Sequence, residues 1–162
     1  MRSEKGFGKS PESHYQTMSP EWIKALPVEA LAARDCLLWL WYLAPMTPLA
    51  LEVIASWGFE FKTGGHWAKV GASGKQAFGT GYILRNAGEP FLIATRGAPA
   101  TTRSVRSVII APAREHSRKP DAAFAAAEQM MPGARRLELF SRQRRSGWDA
   151  WGDQVGQFAG VE

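Results

Sequence analysis

The sequence lacks the features that mark secreted and membrane-spanning proteins. It contains one cysteine, Cys36, among 162 residues, so an internal disulfide is excluded and a reducing compartment is favoured. No apolar run reaches the length of about 18 residues that spans a bilayer. The first ten residues, MRSEKGFGKS, have no apolar stretch of the kind found in a signal peptide. We therefore expect a cytoplasmic protein without a membrane segment.

Several catalytic and ligand-binding motifs are also absent. The three histidines, His14, His66 and His116, have no metal-ligand spacing among themselves or with Cys36, so no metal is predicted. GFGKS at residues 6–10 lacks the first glycine and the preceding strand of a phosphate-binding loop. No Gly-x-Ser-x-Gly nucleophile elbow occurs. These absences argue against a zinc protein, a P-loop enzyme and a hydrolase of the α/β class.

Positive charge is concentrated in one block of the sequence. Residues 96–145 contain eleven Lys and Arg against four Asp and Glu, a balance of +7. Residues 1–95 have a balance of +1, and the last seventeen residues a balance of −3. Ten of the eleven cations in the block are arginines, whose guanidinium matches the geometry of phosphate. The block is typical of nucleic-acid binding, and a solvated basic surface is the alternative that charge alone leaves open.

The pattern of apolar residues predicts an α/β fold in one domain, residues 1–162, with a mostly parallel sheet. CLLWLWYL at 36–43 is an unbroken apolar run, typical of a strand buried on both faces. The other predicted elements are a helix from Ser19-Pro20, a helix from Thr47-Pro48 to Gly58, strands at 59–70, 90–96, 107–111 and 135–140, a glycine-rich loop at 71–81 and a helix at 120–131. The first two strands and the helix between them would form a βαβ unit. The C-terminal residues are expected to fold over an edge of the sheet.

Seven segments, taken in order, together resemble one protein family. They are HYQTMS (14–19), LLWLW (37–41), WAK (67–69), GTGYILRNAGEPFLIATRG (79–97), REHSRKPD (114–121), LELFSR (137–142) and GWDAWGD (147–153). The sequence is similar to the MT-A family of S-adenosylmethionine-dependent methyltransferases, named for the seventy-kilodalton subunit that methylates adenosine in messenger RNA. The likeness is closer to the bacterial and phage members, which modify adenine in DNA. It covers essentially the whole chain.

The resemblance implies a Rossmann-like methyltransferase fold with circularly permuted motifs and S-adenosyl-L-methionine as cofactor. It implies transfer of a methyl group to the exocyclic amino nitrogen of adenine in nucleic acid, with DNA favoured over RNA and no protein partner identified. A non-catalytic nucleic-acid-binding subunit or relic of the same fold is the alternative.

The signature of the family, Asp-Pro-Pro-Trp at the end of the first strand, does not occur in this sequence. The chain begins where that motif should just have ended, so we expect the first strand and the catalytic loop to be missing. No catalytic residue is therefore assigned. A misplaced start codon, a degraded gene and a partner-dependent relic are the open explanations.

By resemblance, six residues would hold the cofactor: Lys119, Glu138, Phe140, Arg142, Asp153 and Gln154. Lys119 matches a lysine at the methionine end of the cofactor. Glu138 and Arg142 match residues at the ribose hydroxyls, with Phe140 packed nearby, and the last two match the pair that reads the adenine. The alternatives are a solvated residue before a helix for Lys119, a core position for Phe140 and a polar turn for the last pair.

Eight further residues are expected on the nucleic-acid side: Tyr15, Trp67, Lys69, Arg85, Asn86, Glu89, Arg103 and Arg106. Tyr15 would stack on a flipped base, and Trp67 and Lys69 would line the same rim. The next three follow the glycine-rich loop, which suits a lid that closes over substrate. The last two arginines would contact phosphates. Ordinary packing in a strand is the alternative for Trp67.

Overall fold

A computed structural model describes residues 17–81 and 83–158. Its helices are α1 (Pro20–Lys24), α2 (Val28–Leu31), α3 (Thr47–Ser56) and α4 (Asp121–Met130), with a 3-10 helix at Ala44–Met46. Its strands are β1 (Cys36–Trp41), β2 (Glu60–Val70), β3 (Gly88–Arg96), β4 (Val108–Pro112), β5 (Leu137–Leu139) and β6 (Asp149–Trp151). The predicted helices and strands are confirmed, with differences confined to their ends. None of the described helices is long and apolar enough to cross a membrane.

Four of the strands form a mixed sheet in the order β1-β3-β2-β4. β1 runs antiparallel to β3, from Cys36 opposite Arg96 to Trp41 opposite Phe91. β2 runs parallel to β4. The sheet is therefore mixed and not mostly parallel. β3 also lies between β1 and β2 in the strand order, so the two strands of the predicted βαβ unit are not hydrogen-bonded neighbours.

β1 differs from its prediction as a strand buried on both faces. It is an edge strand of the four-stranded sheet, and each of its residues is only half-buried. Its tryptophans instead cover the neighbouring strand, since the rings of Trp39 and Trp41 lie 4.1 and 5.2 Å from the ring of Phe91. An apolar run does not distinguish these cases, because aromatic side chains can bury surface against a strand on one side alone.

The two helices predicted from proline begin as the sequence indicates. Ser19 caps α1, with its hydroxyl accepting the Trp22 N–H at 3.2 Å and Pro20 in the first turn. α3 also has a proline in its first turn and ends just before Gly58, whose φ of +76° suits glycine. It buries one face, which includes Ile54 at 1% exposure.

The chain divides into two compact units. The first comprises Met1–Gly64 with Pro90–Pro99, and the second comprises Gly65–Glu89 with Ala100–Glu162. The buried residues of the second unit include Trp67 and Ile109 on its strands and Phe124 on α4. All of the predicted site residues except Tyr15 belong to the second unit, and Tyr15 lies outside the described residues.

The C-terminal segment forms a strand of its own, which corrects the expectation that it folds over an edge of the main sheet. β6 pairs in parallel with β5 to form a separate two-stranded sheet. The pairing extends to Ser141, whose N–H donates to the carbonyl of Trp151 at 2.9 Å. Gly152 permits this close approach, because a Cβ atom there would lie 2.7 Å from the carbonyl oxygen of Ser141.

Gly88, at the start of β3, has no room for a side chain. A Cβ atom there would lie 2.0 Å from the carbonyl oxygen of Trp67 and 2.5 Å from Nε2 of His66. We expect Gly88→Ala to lower the free energy of unfolding by about 1–3 kcal/mol, the usual effect of overpacking. Urea unfolding measures the change. Gly156→Ala is the control, since a Cβ atom there meets nothing within 4 Å. Equal losses in the two variants would contradict the steric explanation.

Candidate functional site

Glu89 lies between two lysines from other segments of the second unit. Its Oε1 is 2.6 Å from Nζ of Lys69 on β2, and its Oε2 is 2.8 Å from Nζ of Lys119, just before α4. The exposed fractions of Lys69, Glu89 and Lys119 are 24, 21 and 19%. We call these three residues the lysine–glutamate cluster. It joins three positions that the sequence predicts for cofactor or substrate, and its net charge is positive.

The carboxylate of Glu89 is held in its ionised form. Burial alone raises the pKa of Glu89, but the ammonium groups of Lys119 and Lys69 outweigh burial and bring the pKa below its ordinary value of 4.5. Both oxygens of the carboxylate are engaged by these lysines. Glu89 therefore orients two cations, and it is a weak base for any proton released at the site.

Trp67 supports the cluster from within the core. Its side chain is 1% exposed, and its indole N–H donates to the carbonyl of Ala111 on β4 at 3.1 Å. Nζ of Lys69 lies 4.5 Å from the centroid of its ring, in the range of a cation–π contact. This position corresponds to strand packing, which was the alternative for Trp67. A tryptophan on an exposed substrate rim would have a larger exposed fraction than the 1% of Trp67.

Arg85 and Asn86 lie in the loop between β2 and β3, which closes on itself. The N–H of Gly79 donates to the carbonyl of Asn86 at 2.8 Å, and the side-chain oxygen of Asn86 accepts the N–H of Gly88 at 3.1 Å. Asn86 thus shapes the turn that leads into β3 and Glu89. Arg85 is exposed, with its guanidinium 4.9 Å from the ring centroid of Phe78. Arg85 remains a predicted substrate contact.

Four of the six predicted cofactor residues line one small cleft. The lining consists of Ser117, Arg118, Lys119, Phe124, Glu138, Phe140, Arg142, Gln143 and Phe158. We call it the Glu138 cleft. Lys119 belongs both to this cleft and to the lysine–glutamate cluster, so the two share one ammonium group. Asp153 and Gln154 are not among the lining residues and lie in the turn that follows β6.

Glu138 presents a half-buried carboxylate to the cleft. Its Oε2 accepts the hydroxyl of Ser141 at 2.8 Å, and within the described parts of the chain its Oε1 has no hydrogen-bond partner. Burial raises the pKa of Glu138, and the Ser141 hydrogen bond with the charges of Arg145 and Lys119 offsets this only in part. The free oxygen can accept a hydrogen bond from a ligand hydroxyl or amino group.

Gln143 is a cleft residue that the sequence analysis missed. Its side-chain oxygen is buried and has no hydrogen-bond partner among residues 17–81 and 83–158. Buried polar atoms in native proteins nearly always have a partner, so an unsatisfied acceptor in the wall of a cleft points to a donor on a ligand. The only signal in the sequence is its position, immediately after LELFSR.

Phe158 ties the turn after β6 to the cleft. Its ring centroid lies 5.0 Å from the guanidinium of Arg118 and 4.9 Å from that of Arg142. Its N–H also donates to the carbonyl of Arg142 at 3.2 Å. Phe158 therefore connects this turn to the lining of the cleft, although it lies outside the seven segments that resemble the family. Phe140, in contrast, has a φ of +59° and packs edge-on against Trp151 with ring centroids 5.5 Å apart.

Two arginines beside the start of α4 are paired with one carboxylate. Asp121, the first residue of α4, receives Arg114 on one oxygen and Arg145 on the other, each at 2.5 Å. Arg118, 7% exposed, pairs with Glu115 at 3.2 Å. Within the described residues, no cluster of His, Cys, Asp and Glu could hold a metal ion.

The chain belongs to the MT-A70 family, whose model matches residues 2–154. This family has an S-adenosylmethionine-dependent methyltransferase fold. The chain is 34% identical over 149 residues to the N(6)-adenosine-methyltransferase MT-A70-like protein of Arabidopsis thaliana, covering 89% of this chain and 22% of that protein. It is 29% identical over 153 residues to the type II methyltransferase M.MunI of Mycoplasma sp, covering 92% of this chain and 63% of the relative.

A fungal relative is similar over a comparable stretch. The N6-methyladenosine RNA methyltransferase MTA1 of Pyricularia oryzae is 32% identical over 144 residues, which cover 82% of this chain and 38% of that protein. The chain thus spans between about a fifth and just under two thirds of the length of these three relatives.

The lysine–glutamate cluster predicts a pH dependence of stability. Because the pKa of Glu89 is lowered on folding, its contribution is complete above the ordinary value of 4.5 and is lost as the pH falls through the folded-state pKa. We expect Glu89→Gln to lower the free energy of unfolding at neutral pH by about 2 kcal/mol, between the effects for exposed and buried ion pairs. Urea unfolding should show the difference from wild type shrinking in acid.

The control for this prediction is an exposed ion pair of similar geometry. Glu60 lies 2.6 Å from Lys62 and is 77% exposed. Glu60→Gln should change the free energy of unfolding by less than about 1 kcal/mol at any pH. A deficit of Glu89→Gln that stayed constant from neutral to acid pH would show that lost packing, not lost charge, is its cause.

Proposed function

We propose that this chain is the cofactor-binding part of an S-adenosyl-L-methionine-dependent methyltransferase that modifies the exocyclic amino group of adenine in nucleic acid. The observation that carries the proposal is the Glu138 cleft, where a free carboxylate oxygen and an unsatisfied buried amide oxygen line the same small space as Lys119 and Arg142. Membership of the MT-A70 family supplies the chemical class.

The polar side chains of the cleft suit two parts of this cofactor, the ribose and the methionine end. Glu138 and Gln143 offer acceptors for ribose hydroxyls, a recurring use of an acidic residue in Rossmann-like sites. Lys119 and Arg142 offer cations for the carboxylate of the methionine end. When bound, S-adenosyl-L-methionine supplies the methyl group. Asp153 and Gln154, in the turn that Phe158 fastens to Arg142, remain the proposed contacts of its adenine.

Lys119 couples cofactor binding to the acceptor side. The reaction forms a bond between the methyl carbon and the adenine nitrogen, breaks the carbon–sulfur bond and releases one proton from the nitrogen. Its rate depends on alignment of these atoms, and an error of about 1 Å can cost about a hundredfold. Glu89 fixes the ammonium groups of Lys119 and Lys69 relative to each other at 2.8 and 2.6 Å from its carboxylate. Glu89 is therefore proposed as a positioning residue.

DNA is the proposed substrate, with RNA as the comparison. The names of the relatives include both a type II methyltransferase and an RNA methyltransferase, so the two substrates need to be assayed together. The second candidate function is a nucleic-acid-binding subunit that does not itself transfer methyl groups. It is favoured by the engagement of Glu89, the one acidic residue predicted on the acceptor side, by two lysines.

Calorimetry with S-adenosylhomocysteine tests the cofactor site. We expect Arg142→Ala and Glu138→Gln each to weaken binding by about 1–3 kcal/mol, the range for hydrogen bonds to charged groups. Gln143→Met should weaken binding while leaving the free protein as stable or more stable, because it removes a buried acceptor that has no partner among the described residues. The control is Glu52→Gln, an exposed residue of the first unit. Affinities equal to wild type in all three cleft variants would remove the cleft from the site.

Transfer of labelled methyl to adenine separates the two candidate functions. Because the sequence lacks Asp-Pro-Pro-Trp, we expect no transfer by the chain as it stands. When a segment that ends in this motif is joined upstream, transfer to duplex DNA should appear, and Lys119→Ala should reduce it at least about a hundredfold, because alignment at the shared ammonium is lost. Single-stranded DNA and RNA are assayed beside it. Binding of S-adenosylhomocysteine and nucleic acid without any transfer by the extended chain would instead support the non-catalytic subunit.

A further inference from the structure

Of the ten arginines of residues 96–145, Arg96 pairs with Glu29 and Arg142 lines the Glu138 cleft. The other eight fall into two groups. Near the start of α4, Arg114, Arg118 and Arg145 are paired with Asp121 or Glu115. The second group has no ion pair within the described ranges: Arg103, Arg106, Arg135, Arg136 and Arg144. The surplus of positive charge in the block therefore lies largely on the second group.

The C-terminal end of α4 brings two segments of this second group together. Thr102 donates from its hydroxyl to the carbonyl of Gln129 at 2.9 Å and from its N–H to the carbonyl of Met130 at 3.0 Å. Arg136 donates to the next carbonyl, that of Met131, at 3.1 Å. Arg103, which follows Thr102, and Arg135 are thus at the same helix end. α4 has ten residues, so this end lies about 15 Å along the helix from Lys119.

The backbone at Arg103 is held in a defined conformation. Its φ of +56° is uncommon for a residue other than glycine, and such conformations persist where the surroundings determine them. Thr102 is anchored to α4, and its hydroxyl lies 2.8 Å from the hydroxyl of Ser104 on the other side of Arg103. The exposed guanidinium is consequently carried by an ordered backbone.

The other segment forms an open cleft with an aromatic wall. It is lined by Arg135, Arg136, Gly147, Trp148 and Asp149. The guanidinium of Arg136 lies 5.9 Å from the ring centroid of Trp148, whose N–H donates to Glu128 at 2.7 Å. Asp149 is the acidic member of the lining, and the two arginines outweigh it. Arginine beside an aromatic ring is a combination found where proteins bind nucleic-acid backbones.

We propose that Arg103, Arg135 and Arg136, with the ring of Trp148, bind backbone phosphates of a nucleic acid at a distance from the adenine to be modified. We call this surface the distal arginine surface. The inference rests on the proposed function for the location of that adenine near Lys119. Successive phosphates of one duplex strand are about 3.4 Å apart along the axis, so about 15 Å corresponds to four or five base pairs. The surface would fix the register of the nucleic acid without reading its sequence.

The test is binding of a fluorescent oligonucleotide, measured by anisotropy between about 50 and 200 mM salt. The assay compares three oligonucleotides of the same sequence: duplex DNA, single-stranded DNA and RNA. The double variant Arg103→Ala, Arg135→Ala should bind at least tenfold more weakly at the low-salt end, and the slope of log affinity against log salt should flatten by about two units. Arg103→Lys, Arg135→Lys should restore most of the slope, because the charge returns.

The matched control removes the same charge elsewhere. Arg34 and Lys62 are exposed residues of the first unit, so Arg34→Ala, Lys62→Ala changes the net charge equally. We expect this control to keep a slope close to that of wild type. Both double variants should bind S-adenosylhomocysteine like wild type, which also shows that they are folded.

Four results would overturn or separate the proposals. Equal losses in the two double variants would overturn the distal arginine surface, and so would absence of nucleic-acid binding by wild type at low salt. Competition by an acidic peptide as strong as that by unlabelled nucleic acid would make it a protein-docking surface instead. In the fourth result, only the arginine variant loses nucleic-acid binding, and no protein, wild type included, binds S-adenosylhomocysteine. The first observation would support the distal arginine surface, and the second would contradict the proposed function.

Discussion

The arrangement of the second unit depends on one carboxylate that two ammonium groups share. Lys69 lies in the middle of the chain on β2, Glu89 follows the glycine-rich loop at the start of β3, and Lys119 precedes α4. Burial would raise the pKa of Glu89 if it stood alone, but the two lysines bring this pKa below its ordinary value. The converse also holds, since without Glu89 two ammonium groups would repel each other in a partly desolvated place. Each of the three charges is therefore tolerated because of the others.

Local rules predicted the elements of this fold well. Ser19 and Pro20 start α1 because a hydroxyl and a fixed φ are needed there, whatever the tertiary structure. The environment of β1 was not predictable in the same way. Its apolar run is compatible with a central strand and also with an edge strand whose tryptophans cover Phe91. The strand pairing with β3 distinguishes the two cases, and this pairing is not visible in the sequence of β1. The pairing of β6 with β5 also depends on a contact of Gly152 with Ser141, which leaves no periodic signal in so short a strand.

The candidate site shows the same division. Family resemblance was sufficient to bring Lys119, Glu138, Phe140 and Arg142 into one set, and the structure has them around one cleft. It could not identify Gln143, because an unsatisfied oxygen is a property of burial and of missing partners, not of residue type. Nor could it show that Glu89 is engaged on both oxygens, the observation that supports the positioning role proposed for it. Motifs identify which residues are near a ligand, while hydrogen-bond partners determine what each can still do.

The positive charge of residues 96–145 illustrates why composition alone leaves binding undecided. An arginine that already has a carboxylate partner, such as Arg145 with Asp121, gains less from a phosphate, because the existing ion pair must be broken or shared. An arginine without such a partner gives up only water. The sequence counts both kinds equally, yet Arg114 and Arg145 lie at the start of α4, while the segments of Arg103 and Arg136 contact its C-terminal end. The end with paired arginines also holds Lys119 and the Glu138 cleft, where fixed geometry suits the small ligand proposed for it. At the other end, Arg103 and Arg135 are exposed and have no ion pair among the described residues, which suits a long polyanion that needs many weak contacts.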